Sequence, residues 1–196
     1  MSTLELKELS HPTGEVIKIA AGKTLDLKSQ GTTTLPTGSV LQVVSTTYTG
    51  TVASTSATPA NVTGFSAVIT PKSTTSTILV SVSVAFGFIN DAYPYVLLTR
   101  NGVSIGTGVN ATGAQINTFL SAPATNIGAA AAPYMLRQYS KDYEDSPASI
   151  AALTYQIQFA SPYNSYVSYI NRQSSQLNAV YIQHPTSSIT LMEIQG

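Results

Sequence analysis

The sequence predicts an all-β protein in two parts, a short-strand repeat stem over residues 1–44 followed by an antiparallel jelly-roll β-sandwich over residues 45–196. Three features predict it. The first is strict alternation: Ile78, Val80, Val82, Val84, Phe86 and Phe88 are interleaved with Leu79, Ser81, Ser83, Ala85 and Gly87, the period-two pattern of a long strand with one buried face. The second is Asn101-Gly102 after the run Tyr95–Arg100, a pair that tolerates the positive φ of a type I′ turn and so marks a hairpin. The third is an apolar unit that recurs every eight residues near the N-terminus: Ile17-Lys18-Ile19, Leu25-Asp26-Leu27 and Thr33-Thr34-Leu35, with Gly14, Gly22, Gly31 and Gly38 keeping similar spacing.

Each repeat unit has the side-chain alternation of a strand but is three residues long, too short to stand alone in water. A flexible tail would need no such period. The pattern therefore predicts that copies of the chain wind or stack together as an intertwined β-prism or β-helix-like stem, each small apolar face being completed by its neighbours. The side chains expected in that shared core are Ile17, Ile19, Leu25, Leu27, Leu35 and Val40.

Beyond residue 44 the segment from Ser45 to Ser76 is rich in Thr, Ser and Ala and reads as a loop-rich approach with one or two short strands, such as Phe65 to Thr70. After the long strand at Ile78 and the hairpin with its return at Val103 to Gly106, Leu153, Tyr155, Ile157 and Phe159 alternate with Thr154, Gln156 and Gln158. Val167 to Asn171, Val180 to Gln183 and Ser188 to Ile194 predict three more strands, and helical periodicity shows only weakly around Tyr134 to Tyr139. Six or more antiparallel strands in this order indicate a sandwich wound as a jelly roll.

Composition narrows the function. Only 9% of the 196 residues are charged and the formal net charge is zero, against about a quarter charged in ordinary globular chains. Such a chain has no electrostatic means of gripping nucleic acid or an acidic membrane. Its Ser, Thr, Asn, Gln, Gly and Ala suit contact with neutral partners such as glycans, or side-by-side packing with copies of itself. There is no cysteine, hence no disulfide or thiolate metal site. No signal-peptide core and no apolar run of spanning length is seen, so synthesis in the cytoplasm without membrane insertion is expected. The triplets Asn61-Val62-Thr63 and Asn110-Ala111-Thr112 then read as chance matches to the glycosylation pattern.

Lys141, Asp142, Glu144 and Asp145 form the one dense ionisable group. Carboxylates so close suit a hard cation such as calcium, but the EF-hand spacing is missing. A solvated loop is the simpler reading, with Asp145 capping a turn ahead of Ser146-Pro147. His11 and His184 stand in no ligand signature, and no Gly-x-Ser-x-Gly elbow exposes a nucleophile. No metal, cofactor or enzymatic activity is expected. Tyrosine is more informative: the chain has 11 Tyr and no Trp, and tyrosine gives rigid amphipathic contact area at low entropic cost. Tyr134, Tyr139, Tyr143, Tyr163 and Tyr166, in expected loops and short strands with Tyr169 nearby, are the candidate residues for surface recognition or for an interface between subunits.

The run from Gly14 to Leu27 followed by Leu35-Pro-Thr-Gly-Ser-Val-Leu-Gln-Val-Val resembles the start of tail-fibre-like virion proteins of marine and freshwater bacteriophages. The remainder resembles their C-terminal knob. Its marks are the alternating strand at Ile78, the Tyr95–Gly102 hairpin ending in Ile105-Gly106, Asp145-Ser-Pro ahead of Leu153–Gln158, Tyr169-Ile-Asn-Arg172, and the closing Ser187–Ile194. The resemblance covers nearly the whole chain. It implies a homotrimer with an interwoven stem and a head similar to C1q and tumour-necrosis-factor knobs, located in the virion. It further implies that the stem docks on other virion proteins while the head attaches to a host surface glycan or protein without catalysis. A capsid decoration or cement protein is the alternative, then a cellular C1q-like binding module, and last a small glycan hydrolase. The Ala129–Ala132 stretch and Tyr139–Asp145 fall outside the resemblance.

Overall fold

The computed structural model describes residues 21–23, 35–89, 92–122, 132–162 and 166–196. The chain divides into two units, Met1–Leu35 and Pro36–Gly196. The stem positions Ile17, Ile19, Leu25 and Leu27 lie outside the described residues.

The second unit is all-β. Its strands are β1 (Val40–Tyr48), β2 (Val52–Ser54), β3 (Ala60–Ile69), β4 (Thr77–Phe88), β5 (Tyr95–Arg100), β6 (Val103–Ile105), β7 (Leu120–Ser121), β8 (Leu136–Asp145), β9 (Leu153–Ala160), β10 (Ser168–Ile170) and β11 (Ser187–Ile194), with one 3₁₀ turn at Ala132–Tyr134. They form two antiparallel sheets. In the first, β4 is central: β8 runs along one edge from Ile78↔Asp145 to Gly87↔Leu136. Along the other edge β11 pairs with the first part of β4, and β10 with its last three residues. β1 flanks β11 and β2 flanks β10. In the second sheet β9 lies between β3 and β5, and the free edge of β5 takes β7 and then β6.

The alternation at Ile78 forms the strand it predicts. Ile78, Val80, Val82, Val84, Phe86 and Phe88 are all fully buried and meet Phe65, Ile69, Val96, Leu98, Tyr155, Ile157 and Phe159 of the opposite sheet in one core. Burial of these side chains is the main favourable term in folding, at about 1.5–3 kcal/mol for each large aliphatic or aromatic group. The Asn101-Gly102 hairpin also forms, with φ of 49° and 85° at its two turn residues. It docks on β9, because Asn101 N–H donates to the Thr154 carbonyl and Thr154 N–H donates to Asn101 Oδ1.

Four segments differ from the sequence reading. Residues 45–76, read as a loop-rich approach with one or two short strands, hold the end of β1, all of β2 and all ten residues of β3. Residues 40–44, assigned to the stem, begin β1 and pair with β11 of the sandwich. Residues 139–145, read as a loop, belong to β8, where a polar and charged composition hides a strand with Tyr139, Lys141, Tyr143 and Asp145 in phase. Val180 to Gln183, read as a strand, is a turn closed by Ile182 N–H on the Ala179 carbonyl, with Val180 fully exposed. Apolar β-branched residues there meet neither a partner strand nor a core.

At the end of β4 both faces become buried, from Val84 onward. After β10, Asn171 adopts φ 60° and turns the chain across the outer side of β4 at Gly87. A Cβ at Gly87 would lie 1.8 Å from the Arg172 carbonyl oxygen, so only glycine fits. Asn171 is itself fixed: its Nδ2 donates to the carbonyls of Tyr48 and Gly50, and its Oδ1 accepts from the Ser187 hydroxyl. Gly87→Ala should destabilise the protein by about 3 kcal/mol, the upper range for overpacking against rigid backbone, measured as a lower denaturant midpoint with unchanged slope.

Candidate functional site

The alternation of β8 decides what its ionisable residues can do. Successive side chains leave opposite faces of a strand, so Lys141 and Asp145 point toward the opposite sheet while Asp142 and Glu144 are exposed on the outer face. The four groups expected to cluster are therefore split. Asp142 accepts from the Ser81 hydroxyl, and among the described residues no group of three or more His, Cys, Asp or Glu could hold a metal ion.

Asp145 does not cap a turn. It is buried and receives Arg100 Nη1 at 2.6 and 2.7 Å on its two oxygens and the Tyr155 hydroxyl at 2.6 Å. Arg100 and Tyr155 are paired across β5 and β9, whereas Asp145 belongs to the other sheet, so the cluster is a clamp between sheets. Burial, then the hydrogen bond to Asp145, raises the Tyr155 hydroxyl well above its usual range. The hydrogen bond to Asp145 likewise holds Arg100 protonated. Lys141 makes a second tie, its ammonium donating to the carbonyls of Gly106 (2.8 Å) and Phe119 (3.1 Å) and lying 4.6 Å from the Phe119 ring centre.

A further buried carboxylate, Glu193, escaped the sequence reading. Its signal was there, since it stands in phase with Ile189 and Leu191 on β11. Its oxygens accept from Gln42 Nε2 and from Lys72 N–H, each at 2.6 Å. Burial alone would raise its carboxyl. Hydrogen bonds from Gln42 and the Lys72 N–H, with the Ser76 hydroxyl and the Ser73 N–H group close by, outweigh that and hold it below its ordinary value.

The tyrosines separate into two kinds. Tyr139 and Tyr143 are half-buried and pack on the core, Tyr139 against Phe86 at 6.0 Å and Tyr143 edge-on to Phe119 at 6.4 Å. They pack within the chain and keep part of their surface exposed. Tyr166 is likewise half-buried against the core, and Tyr163 lies outside the described residues. Of the four that are described, Tyr134 alone is exposed, edge-on to exposed Tyr181 at 5.3 Å between ring centres. This pair is held by Gln173, whose Nε2 donates to the Tyr134 carbonyl and whose Oε1 accepts from Gln183 N–H.

The outer face of the β4 sheet is uniform in chemistry. Register places Ser45, Thr190, Ser81 and Asp142 in one row across β1, β11, β4 and β8, and Thr47, Ser188, Ser83 and Ser140 in the next. Ser45 and Thr190 hydroxyls are 2.8 Å apart, as are those of Ser83 and Ser140. Val43, Met192 and Leu79 make a neighbouring apolar row, beside a cleft of about 350 Å³ that Thr37, Ile194 and Glu144 help to line. No outward position of β1, β4 or β11 carries a charge. Leu35 and Val40, expected in a stem core, are both exposed, and Val40 lies opposite Ile194. No protein-family model matches the chain, and a search of curated proteins finds no match.

Arg100→Ala should cost about 3 kcal/mol by stranding the buried Asp145 carboxylate, seen as a lower unfolding midpoint in urea. Glu193 has a lowered pKa in the folded state, so its contribution is present above about pH 4.5 and is lost as pH falls through the folded value. Glu193→Gln should therefore flatten the loss of stability as pH falls below about 4.5, measured by denaturation at each pH.

Proposed function

We propose that this chain is a structural fibre protein of a bacteriophage virion, homotrimeric, which attaches to the host surface by multivalent, non-catalytic binding. The observation that carries this reading is the outer face of the β4 sheet. It is uncharged over β1, β4 and β11, made of small hydroxyl-bearing side chains with one apolar row, and so suited to packing against copies of the same chain. The winding of the head supports the same reading. The chain passes from one sheet to the other between β2 and β3, β3 and β4, β4 and β5, β7 and β8, β8 and β9, and β9 and β10, as expected of a sandwich wound as a jelly-roll knob. The eight-residue repeat in residues 1–35 adds a second shared element, the interwoven stem.

Binding strength in such an assembly comes from number. Three modest sites on one knob, with several knobs on a particle, raise avidity by about 10²–10⁴ without a new contact. That suits a chain with few charges to steer a single tight encounter.

Light scattering of the full chain should give three times the monomer mass. Thr190→Lys, which puts an ammonium in the middle of the uncharged face, should yield a folded species of lower mass with an unchanged far-ultraviolet spectrum. A trimer that persists in this variant counts against this face as the contact. Replacing Leu25 and Leu27 by Asp should weaken the assembly while leaving the sandwich folded, and an unchanged mass would remove the stem from the account. Counting copies per particle then separates a fibre, at a handful or dozens, from a capsid decoration at hundreds.

A further inference from the structure

The sandwich has two distinct ends. Gly38 N–H bonds the Gln195 carbonyl beside the start of β4, so the chain joins the sandwich there. Arg100, the last residue of β5, reaches Asp145 at that same end, which puts Tyr95, the first residue of β5, at the opposite one. At that far end a cavity of about 430 Å³ lies among Tyr93, Tyr95, Ile116, Thr118, Ser121 and Pro162, completed by two alanines. The size is within the range of small-molecule sites, about 300–1,000 Å³.

We propose that this cavity is a binding site for an uncharged saccharide. Among the described residues that line it there is no carboxylate, ammonium, guanidinium or imidazole, so an ionic ligand would be desolvated against that lining without a counter-charge. The walls alternate in character. Tyr93 and Ile116, each 45% exposed, present apolar area beside Pro162, while Thr118 and Ser121 supply hydroxyls on the same lining. A purely hydrocarbon ligand would cover those hydroxyls without a partner. A pyranose ring, with one face of C–H groups and a rim of hydroxyls, satisfies both kinds of wall.

The floor is already in place. Tyr95 is paired with Ser121 on one side and Ala160 on the other, its hydroxyl donates to the Ala57 carbonyl at 3.1 Å, and Ala122 N–H bonds the Pro94 carbonyl. Little conformational freedom is lost on binding, which favours a measurable affinity even for a small neutral ligand. The assignment rests on the attachment reading for its biological sense, since it places the ligand site at the end opposite the one where the chain enters the head.

The test uses the full chain and saturation-transfer NMR, with uncharged oligosaccharides of glucose, galactose and N-acetylglucosamine as probes and sialyllactose and an octyl glycol as comparators. The expected result is saturable transfer from at least one uncharged sugar, weakened about tenfold, or about 1.4 kcal/mol, by Tyr93→Ala. Ser121→Arg, which crowds the exposed rim without touching the core, should do the same, while Tyr181→Ala on the separate exposed pair should change nothing. Thermal unfolding of each variant confirms that the fold is kept. Silence from every uncharged sugar, binding of the acidic sugar or the octyl chain alone, or an affinity indifferent to both pocket variants overturns the proposal. An empty pocket in a trimeric protein removes this site alone. A saturable pocket in a monomeric protein removes the trimeric fibre and leaves the site.

Discussion

Everything in the sandwich depends on β4. It carries β8 along one edge and both β11 and β10 along the other, so the register of half the fold is set against one strand. The same strand sends six side chains from Ile78 to Phe88 into the core. A slip of one residue would exchange that row for Leu79, Ser81, Ser83, Ala85 and Gly87 and put hydroxyls where the second sheet packs. The apolar alternation therefore fixes position as well as stability, and the flanking strands inherit it. Gly87 marks the limit of this arrangement, since the chain beyond β10 crosses so closely that a single added carbon has no room.

Hydrophobic packing does not by itself say which loops meet which strands. That is supplied by a few buried polar groups, each satisfied. Asp145 takes both Arg100 and Tyr155 from the other sheet. Glu193 takes Gln42 and the Lys72 backbone and so ties β1 and the β3–β4 connection to β11. Asn171 takes Tyr48, Gly50 and Ser187. Buried charges and amides add little net stability compared with apolar groups of the same shape, because desolvation offsets much of the attraction. Losing one partner is costly, however, since the other is left unpaired. Such groups penalise wrong arrangements more than they reward the right one, which is how a chain with so few charges can use them.

The sequence made the apolar strands legible and left the polar ones hidden. β4, β9 and β11 alternate buried with less buried side chains, a period visible without any structure, and β5 is marked by the Asn101-Gly102 turn that follows it. β8 has the same period written in Tyr139, Lys141, Tyr143 and Asp145, and its inward ammonium and carboxylate find partners only on the other sheet, at Gly106, Phe119, Arg100 and Tyr155. Those partners are distant in sequence, so the charges looked like a solvated loop. Val180 to Gln183 misleads in the other direction, with β-branched composition but no strand beside it. The tyrosines show the same limit. Rings at Tyr139 and Tyr143 and a ring at Tyr134 look alike in sequence, and only the sheet to which each is attached decides which face the core.

Low charge has different consequences on different parts of the surface. On the outer face of the β4 sheet the hydroxyls of Ser45, Thr190, Ser83 and Ser140 bond one another, so that face presents short side chains whose polar atoms are already partly satisfied. A second protein surface can cover it with little desolvation penalty, because few groups there still need water. At the far end of the sandwich the hydroxyls of Thr118 and Ser121 line a concave site beside the ring of Tyr93, where a small polar ligand can reach them. An open sheet face of paired hydroxyls favours a protein neighbour, and a cavity of hydroxyls beside an aromatic ring favours a hydroxylated ligand. The same neutral composition thus separates, by shape alone, into one surface suited to assembly and one suited to recognition.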